Sequence, residues 1–181
     1  MKRILGLLAL LALSTVPAMA QLDNTPKLEV GGGYMFRSYN LQFGPRQNFN
    51  GFFVTADYNV TNWLGVDMDF DGGYASIEGT PVHQYTYMFG PQVYPIGHHK
   101  ITPFVHALFG GSAFLIPSVS VANNNAFGFS VGGGVDWSLT HHIAIRLGQF
   151  DFEQVRNFDG GTSGNPVQND YKYKGGVIFR F

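Results

Sequence analysis

Hydrophobic and polar positions alternate along most of this chain with a period of two, the signature of half-buried β-strands and not of helices. The first stretch sets Leu28, Val30, Tyr34 and Phe36 against Glu29, Gly31, Gly33 and Arg37. In the second, Phe52, Val54, Ala56 and Tyr58 alternate with Thr55, Asp57 and Asn59, and in the third Leu64, Val66, Met68 and Phe70 alternate with Gly65, Asp67, Asp69 and Asp71. Tyr85, Tyr87, Phe89 and Val93 then alternate with Gln84, Thr86, Gly90 and Gln92. A less regular stretch follows, with Val105, Ala107 and Phe109 against His106 and Leu108. Phe127, Phe129, Val131, Val135, Trp137 and Leu139 alternate with Gly128, Ser130, Gly132, Gly134, Asp136 and Ser138. Ile143, Ile145 and Leu147 alternate with Arg146 and Gly148. In the last stretch Tyr171, Tyr173, Val177, Phe179 and Phe181 alternate with Lys172, Lys174, Gly176 and Arg180.

Eight strands are therefore predicted, most of them longer than the roughly 5–6 residues usual in soluble sheets. About 9–11 residues cross a bilayer as a tilted strand. The intervening segments alternate in length. Residues 59–62, 95–100 and 139–142 are short, while 40–50, 72–82, 116–125 and 155–169 are longer and rich in Asn, Gly, Pro and Ser. Short turns on one side and long loops on the other describe a transmembrane barrel. The predicted fold is all-β, an eight-stranded antiparallel up-and-down transmembrane β-barrel.

Composition sharpens which face meets what. Charged residues make up 13% of the chain, aromatics 15%, and there are 24 Gly and no Cys. A disordered chain carries more charge and fewer aromatics. A helical membrane protein is far more apolar than a mean hydropathy of +0.00. Without Cys there is no disulfide, thiolate zinc site or cysteine nucleophile. The apolar, aromatic set fits a lipid-facing exterior, and the small and polar set fits a narrow interior. Almost no Lys, Arg, Asp or Glu falls on the apolar face. Strict alternation after Gly148 would turn Gln149 and Asp151 outward, and a bulge at Gly148 would instead turn Phe150 and Phe152 outward. The bulge is the expectation. Tyr58, Trp63, Tyr94 and Trp137 beside the short turns, and Phe36, Tyr39, Tyr74, Tyr85 and Phe127 beside the long loops, are expected to form two aromatic girdles.

Residues 1–20 are read as a signal peptide. Lys2 and Arg3 precede an apolar run over 4–13, and Pro17, Ala18, Met19 and Ala20 give a small-residue cleavage pattern before Gln21. The remaining 161 residues, 21–181, form one barrel domain, with nine Lys and Arg against twelve Asp and Glu. That balance, without a basic patch, argues against nucleic acid as a partner.

Ten charges are predicted to face the interior: Glu29, Asp57, Asp67, Asp69 and Asp136 against Arg37, Arg146, Lys172, Lys174 and Arg180. An eight-stranded barrel is only wide enough for its own side chains, so a structural network is favoured over an ion path. Glu29 on the first strand is expected near Arg180 or Lys174 on the last. His106, Ser112, Ser130, Asp136 and Asp151 supply residue types for a hydrolase triad, but no compact nucleophile motif accompanies them. His98-His99 and His141-His142 lie in short turns, where a shared metal is less favoured than interfacial histidines. No metal and no cofactor is expected, and the Gly31–Gly33 and Gly132–Gly134 triplets lack the Lys-Ser/Thr of a phosphate loop. The long loops, carrying Phe43, Arg46, Phe49, Arg156, Phe158 and Asp159, are the remaining candidate binding surface.

The terminal strand, with Tyr171, Tyr173, Val177, Phe179 and a final Phe181, resembles the carboxy-terminal assembly signal of Gram-negative outer-membrane proteins. With the signal peptide and eight strands, the chain resembles the small OmpA/OmpX-type barrels over nearly all its mature length. The resemblance implies an outer-membrane location, periplasmic termini, insertion by the barrel-assembly machinery, and contact with outer-membrane lipid and lipopolysaccharide. A monomer is expected, and a wall-binding domain beyond Phe181 is not. A structural envelope role leads, ahead of surface adhesion, a narrow pore, and a lipid A-modifying enzyme.

Overall fold

The computed structural model describes residues 25–39, 46–77, 79–115, 124–156 and 167–181. The predicted signal peptide over 1–20, and Phe43, Phe158 and Asp159 of the loops, lie outside the described residues. Eight strands follow in chain order: β1 (Leu28–Tyr39), β2 (Gln47–Asn59), β3 (Leu64–Ile77), β4 (Thr80–Val93), β5 (Ile101–Leu115), β6 (Asn124–Ser138), β7 (Ile143–Arg156) and β8 (Val167–Arg180). Each pairs antiparallel with its neighbours in sequence, and β1 pairs antiparallel with β8, closing the barrel. Closure leaves no row of unpaired backbone groups, which hydrocarbon cannot hydrate. At the seam the Lys27 N–H donates to Phe181 O and the Phe181 N–H to Leu28 O, both at 2.8 Å.

The pleat sorts side chains as the period-two pattern requires. Val54, Met68, Phe89 and Val131 project from the exterior, and Thr55, Asp67, Gln92 and Ser130 are buried inside. The strands are 12–15 residues long, so the wall is longer than the roughly 9–11 residues a bilayer crossing needs.

All four predicted long loops are shorter than their composition suggests. Ser76 pairs with Pro81 and Ile77 with Thr80, leaving a two-residue tip at 78–79 in place of the long loop predicted over 72–82. Gly79 takes the positive φ of 81° that this reversal needs. Gly72 reads as loop chemistry but lies in the wall under a ring, where an added Cβ would sit 2.6 Å from a Phe52 carbon. Strands β2, β6, β7 and β8 likewise absorb the ends of the predicted loops, so Phe49 is a buried interior residue and not a loop residue.

The register also shifts once in β7. Arg146 pairs with Gly176 on β8, but Gln149 pairs with Lys174, which places an extra residue at Leu147–Gly148. Above the shift Gln149, Asp151 and Glu153 turn inward, while Phe150, 56% exposed, turns outward with Phe152. Phe150→Arg would thus place a cation against lipid and is expected to destabilise by roughly 2–4 kcal/mol at mid-depth. Urea unfolding in vesicles measures it, and an unchanged midpoint would place Phe150 on the other face.

Tyr58, Trp63 and Trp137 at the short-turn end, and Tyr74 and Phe127 at the loop end, are exposed on the outer wall. Tyr94 and Tyr39 are not girdle residues: both are buried, because each sits on the inward phase of its strand end. Tyr39 packs edge-on against Phe49, with ring centroids 5.7 Å apart, and with Val82 they form an apolar plug at the loop end.

Candidate functional site

The interior of the barrel holds nearly all its buried chemistry, in three connected tiers. At the short-turn end Arg180 Nε lies 2.5 Å from Glu29 Oε1, across the β1–β8 seam. The other Glu29 oxygen accepts from the Tyr94 hydroxyl at 3.1 Å and lies 3.6 Å from His98 Nε2. Gln92 donates to the Tyr94 oxygen at 2.6 Å and to Asp57 Oδ1 at 3.2 Å. Burial, with Asp57 and Glu29 nearby, holds the Tyr94 phenol well above its usual range and keeps it protonated. A cavity of about 490 Å³ opens at this end, lined among others by His98, His99, Lys100, His141 and Arg180.

The middle tier centres on His106, whose two ring nitrogens lie 2.9 Å from Asp67 Oδ2 and 2.9 Å from Asp151 Oδ1. Thr55 donates to the second Asp67 oxygen at 2.8 Å. Gln149 donates to Asp151 and accepts from Arg146 at 2.7 Å. Arg146 makes a two-pronged bond to Asp136, at 2.9 and 3.1 Å, with its guanidinium over the Phe104 ring.

The upper tier is built on two lysines of β8. Lys174 contacts Asp69 at hydrogen-bonding range, Asp71 at 2.8 Å and Asp151 at 3.5 Å. Lys172 contacts Asp71 at 2.6 Å and Glu153 at 2.5 Å. Arg37 completes the tier, 3.5 Å from Asp71 and 3.6 Å from Glu153, and donates to Thr86 at 2.5 Å. Charges this deep in a protein persist only when paired and hydrogen-bonded.

All ten charges named from the sequence lie in this interior, none more than 7% exposed. Glu29 meets Arg180 and not Lys174, which is engaged in the upper tier. The five-against-five balance is not what the interior holds. Asp71, Asp151, Glu153 and Asp170 are also buried, giving nine carboxylates against five Lys and Arg plus His106 among the described residues. Asp71 was masked by the glycines after it, and Asp151 and Glu153 by the change of phase at Gly148. The Asp67, Asp69, Asp71 series at period two was the available signal. The interior is also less purely small and polar than alternation suggested, since Met35, Phe53, Phe104, Leu108 and Ile178 are buried among the charges.

The triad residue types are not assembled. Both His106 nitrogens face carboxylates, Ser112 accepts from Gln84 at 3.0 Å, and Asp136 is held by Arg146. Of the histidine pairs, His98 turns into the mouth of the barrel and packs against Tyr94, with ring centroids 4.1 Å apart and the rings tilted by 45°. Among the described residues no three His, Asp or Glu side chains gather as metal ligands. At the loop end Arg46 lies over the Tyr171 ring at 4.8 Å and donates to Ser38 O at 3.1 Å.

A closed antiparallel wall, apolar outside and charged within, defines a membrane-spanning β-barrel. The chain matches the outer membrane protein beta-barrel domain over residues 6–181 and belongs to that family. Its location is therefore an outer membrane. No curated protein matches the chain. Among solved structures it is similar to Neisserial surface protein A, with 12% identity, a TM-score of 0.69, and 86% of this chain and 97% of that one covered. It is also similar to OprG from Pseudomonas aeruginosa, with 13% identity, a TM-score of 0.60, and coverage of 87% and 97%. Ail, the attachment invasion locus protein of Yersinia pestis, gives 16% identity, a TM-score of 0.55, and coverage of 87% and 99%. At such identities the likeness is one of fold.

Proposed function

We propose that this protein is a structural component of the outer membrane, a plugged barrel that reinforces the envelope and presents its loops outward. The supporting observation is the burial of the inward charges. A water-filled channel would leave its lining side chains accessible, yet Lys174, Asp57, Glu153 and Asp170 are each 0% exposed. In this reading residues 1–20 direct export and are removed. The termini and short turns then face the periplasm. The strand ending in Phe181 is presented to the barrel-assembly machinery, and outer-membrane lipid and lipopolysaccharide contact the aromatic exterior. The chain acts as a monomer without catalysis.

Cells lacking the protein are expected to become more sensitive to detergent with chelator, and the full chain to restore resistance. A variant shortened over 157–166 is expected to restore it equally. Surface attachment is the second reading, favoured by strands that outrun the bilayer and lift the loop end clear of it. If only the full chain restores a phenotype, and that phenotype is binding to a surface, the second reading holds.

A further inference from the structure

Three buried acceptor oxygens at the short-turn end of the interior have no hydrogen-bond donor among the described residues: Asp57 Oδ2, Asn59 Oδ1 and Gln92 Oε1. The three residues are each 0–1% exposed. Both amide nitrogens are committed elsewhere, which fixes where the amide oxygens point. Asn59 Nδ2 donates to Pro26 O at 2.9 Å, and Gln92 Nε2 donates to Asp57 Oδ1 and to the Tyr94 oxygen. Leaving such oxygens bare in a protein interior forfeits their hydration with nothing in return.

The three residues share one stretch of wall. Asn59 on β2 pairs with Gly65 on β3, which pairs with Gln92 on β4. Asp57 stands one inward position further along β2, across from Asp67. Gly65 contributes no side chain, and a Cβ there would lie 2.7 Å from Asn59 Oδ1, so that oxygen hangs over the glycine. Asp57 makes no ion pair among the described residues, in an interior whose carboxylates outnumber its cations.

We infer that Asp57 Oδ2, Asn59 Oδ1 and Gln92 Oε1, from neighbouring inward positions of β2 and β4 on either side of Gly65, form a binding site for a hard, oxygen-preferring cation. An all-oxygen set of one carboxylate and two neutral amides suits calcium, magnesium or sodium and excludes soft metals, and water completes the shell. So low a charge count belongs to the weak calcium regime, with Kd on the order of 10⁻⁴–10⁻³ M. Entry is from the cavity at the short-turn mouth, because His98 lines that cavity and lies 3.3 Å from Asn59 Nδ2.

The test uses the full barrel folded in detergent micelles, stripped with chelator and titrated calorimetrically with calcium, magnesium or sodium chloride against choline chloride. One saturable site per chain is expected for at least one of the three metals, and the arms identify which. Asp57→Asn is expected to weaken binding at least tenfold, and Gly65→Ala to weaken it by displacing Asn59. Ser130→Ala, elsewhere in the interior, should leave it unchanged. Asn59→Asp adds a carboxylate and is expected to tighten binding, which keeps the test decisive if Asp57→Asn fails to fold. Absence of saturable binding in the parent chain would overturn the site, leaving water or a proton shared between Asp57 and Asp67. Binding that survives both Asp57→Asn and Gly65→Ala would overturn its location.

Discussion

Lys174→Met is expected to destabilise the barrel more than any other single substitution in its interior. The ammonium of Lys174 contacts Asp69, Asp71 and Asp151, and is 0% exposed. Methionine fills similar space but takes a shared cation from three carboxylates, in a closed interior with too few cations. Breaking one buried pair costs roughly 3–5 kcal/mol, because the surviving charge is left without a partner. Here Asp71 keeps Lys172 and Asp151 keeps His106, while Asp69 loses its one ion-pair partner among the described residues. The loss should therefore reach the upper part of that range, a large share of a typical total of about 5–15 kcal/mol. Unfolding by urea, followed through the mobility difference between boiled and unboiled samples, gives the value. Adding Asp69→Asn to Lys174→Met should recover part of it, since the stranded charge is then gone. A midpoint unmoved by Lys174→Met would mean that water, not lysine, neutralises these carboxylates.

Arg180→Ala is expected to have the second largest effect, through the seam. Arg180 on β8 and Glu29 on β1 face each other where the first and last strands close the barrel. Removing the guanidinium leaves Glu29 without its Arg partner, beside Tyr94 and His98 only, and again costs on the order of 3–5 kcal/mol. The double variant Arg180→Ala, Glu29→Gln should be milder than Arg180→Ala alone. A buried pair removed whole leaves no orphan, whereas a pair half removed does. If heat-modifiable mobility and melting are unchanged in Arg180→Ala, the pair contributes nothing to closure.

The exterior was legible in the sequence because lipid tolerates so little. A period-two run such as Val66, Met68 and Phe70 admits only one outward face, and eight such runs define the wall. The interior was only half legible because two opposite demands act on it. Charges must be paired, but the remaining volume must be filled, so Phe53, Phe104 and Ile178 turn inward beside lysines. One extra residue at Leu147–Gly148 moved Asp151 and Glu153 inside and changed the charge balance. Composition misled at strand ends. Gly72 and Gly73 look like loop residues, yet they lie in the wall, with Gly72 packed beneath Phe52. The bare oxygens of Asn59 and Gln92 beside Gly65 could not be read from sequence, because they depend on where the amide nitrogens of those residues are spent.

The filled interior is tested most directly by recording current across a planar bilayer containing the purified, folded barrel. A closed barrel predicts a silent bilayer under moderate voltage, with the folded state verified by gel mobility in the same preparation. Reproducible steps to a steady, ohmic open level would contradict it, and would make the protein a pore.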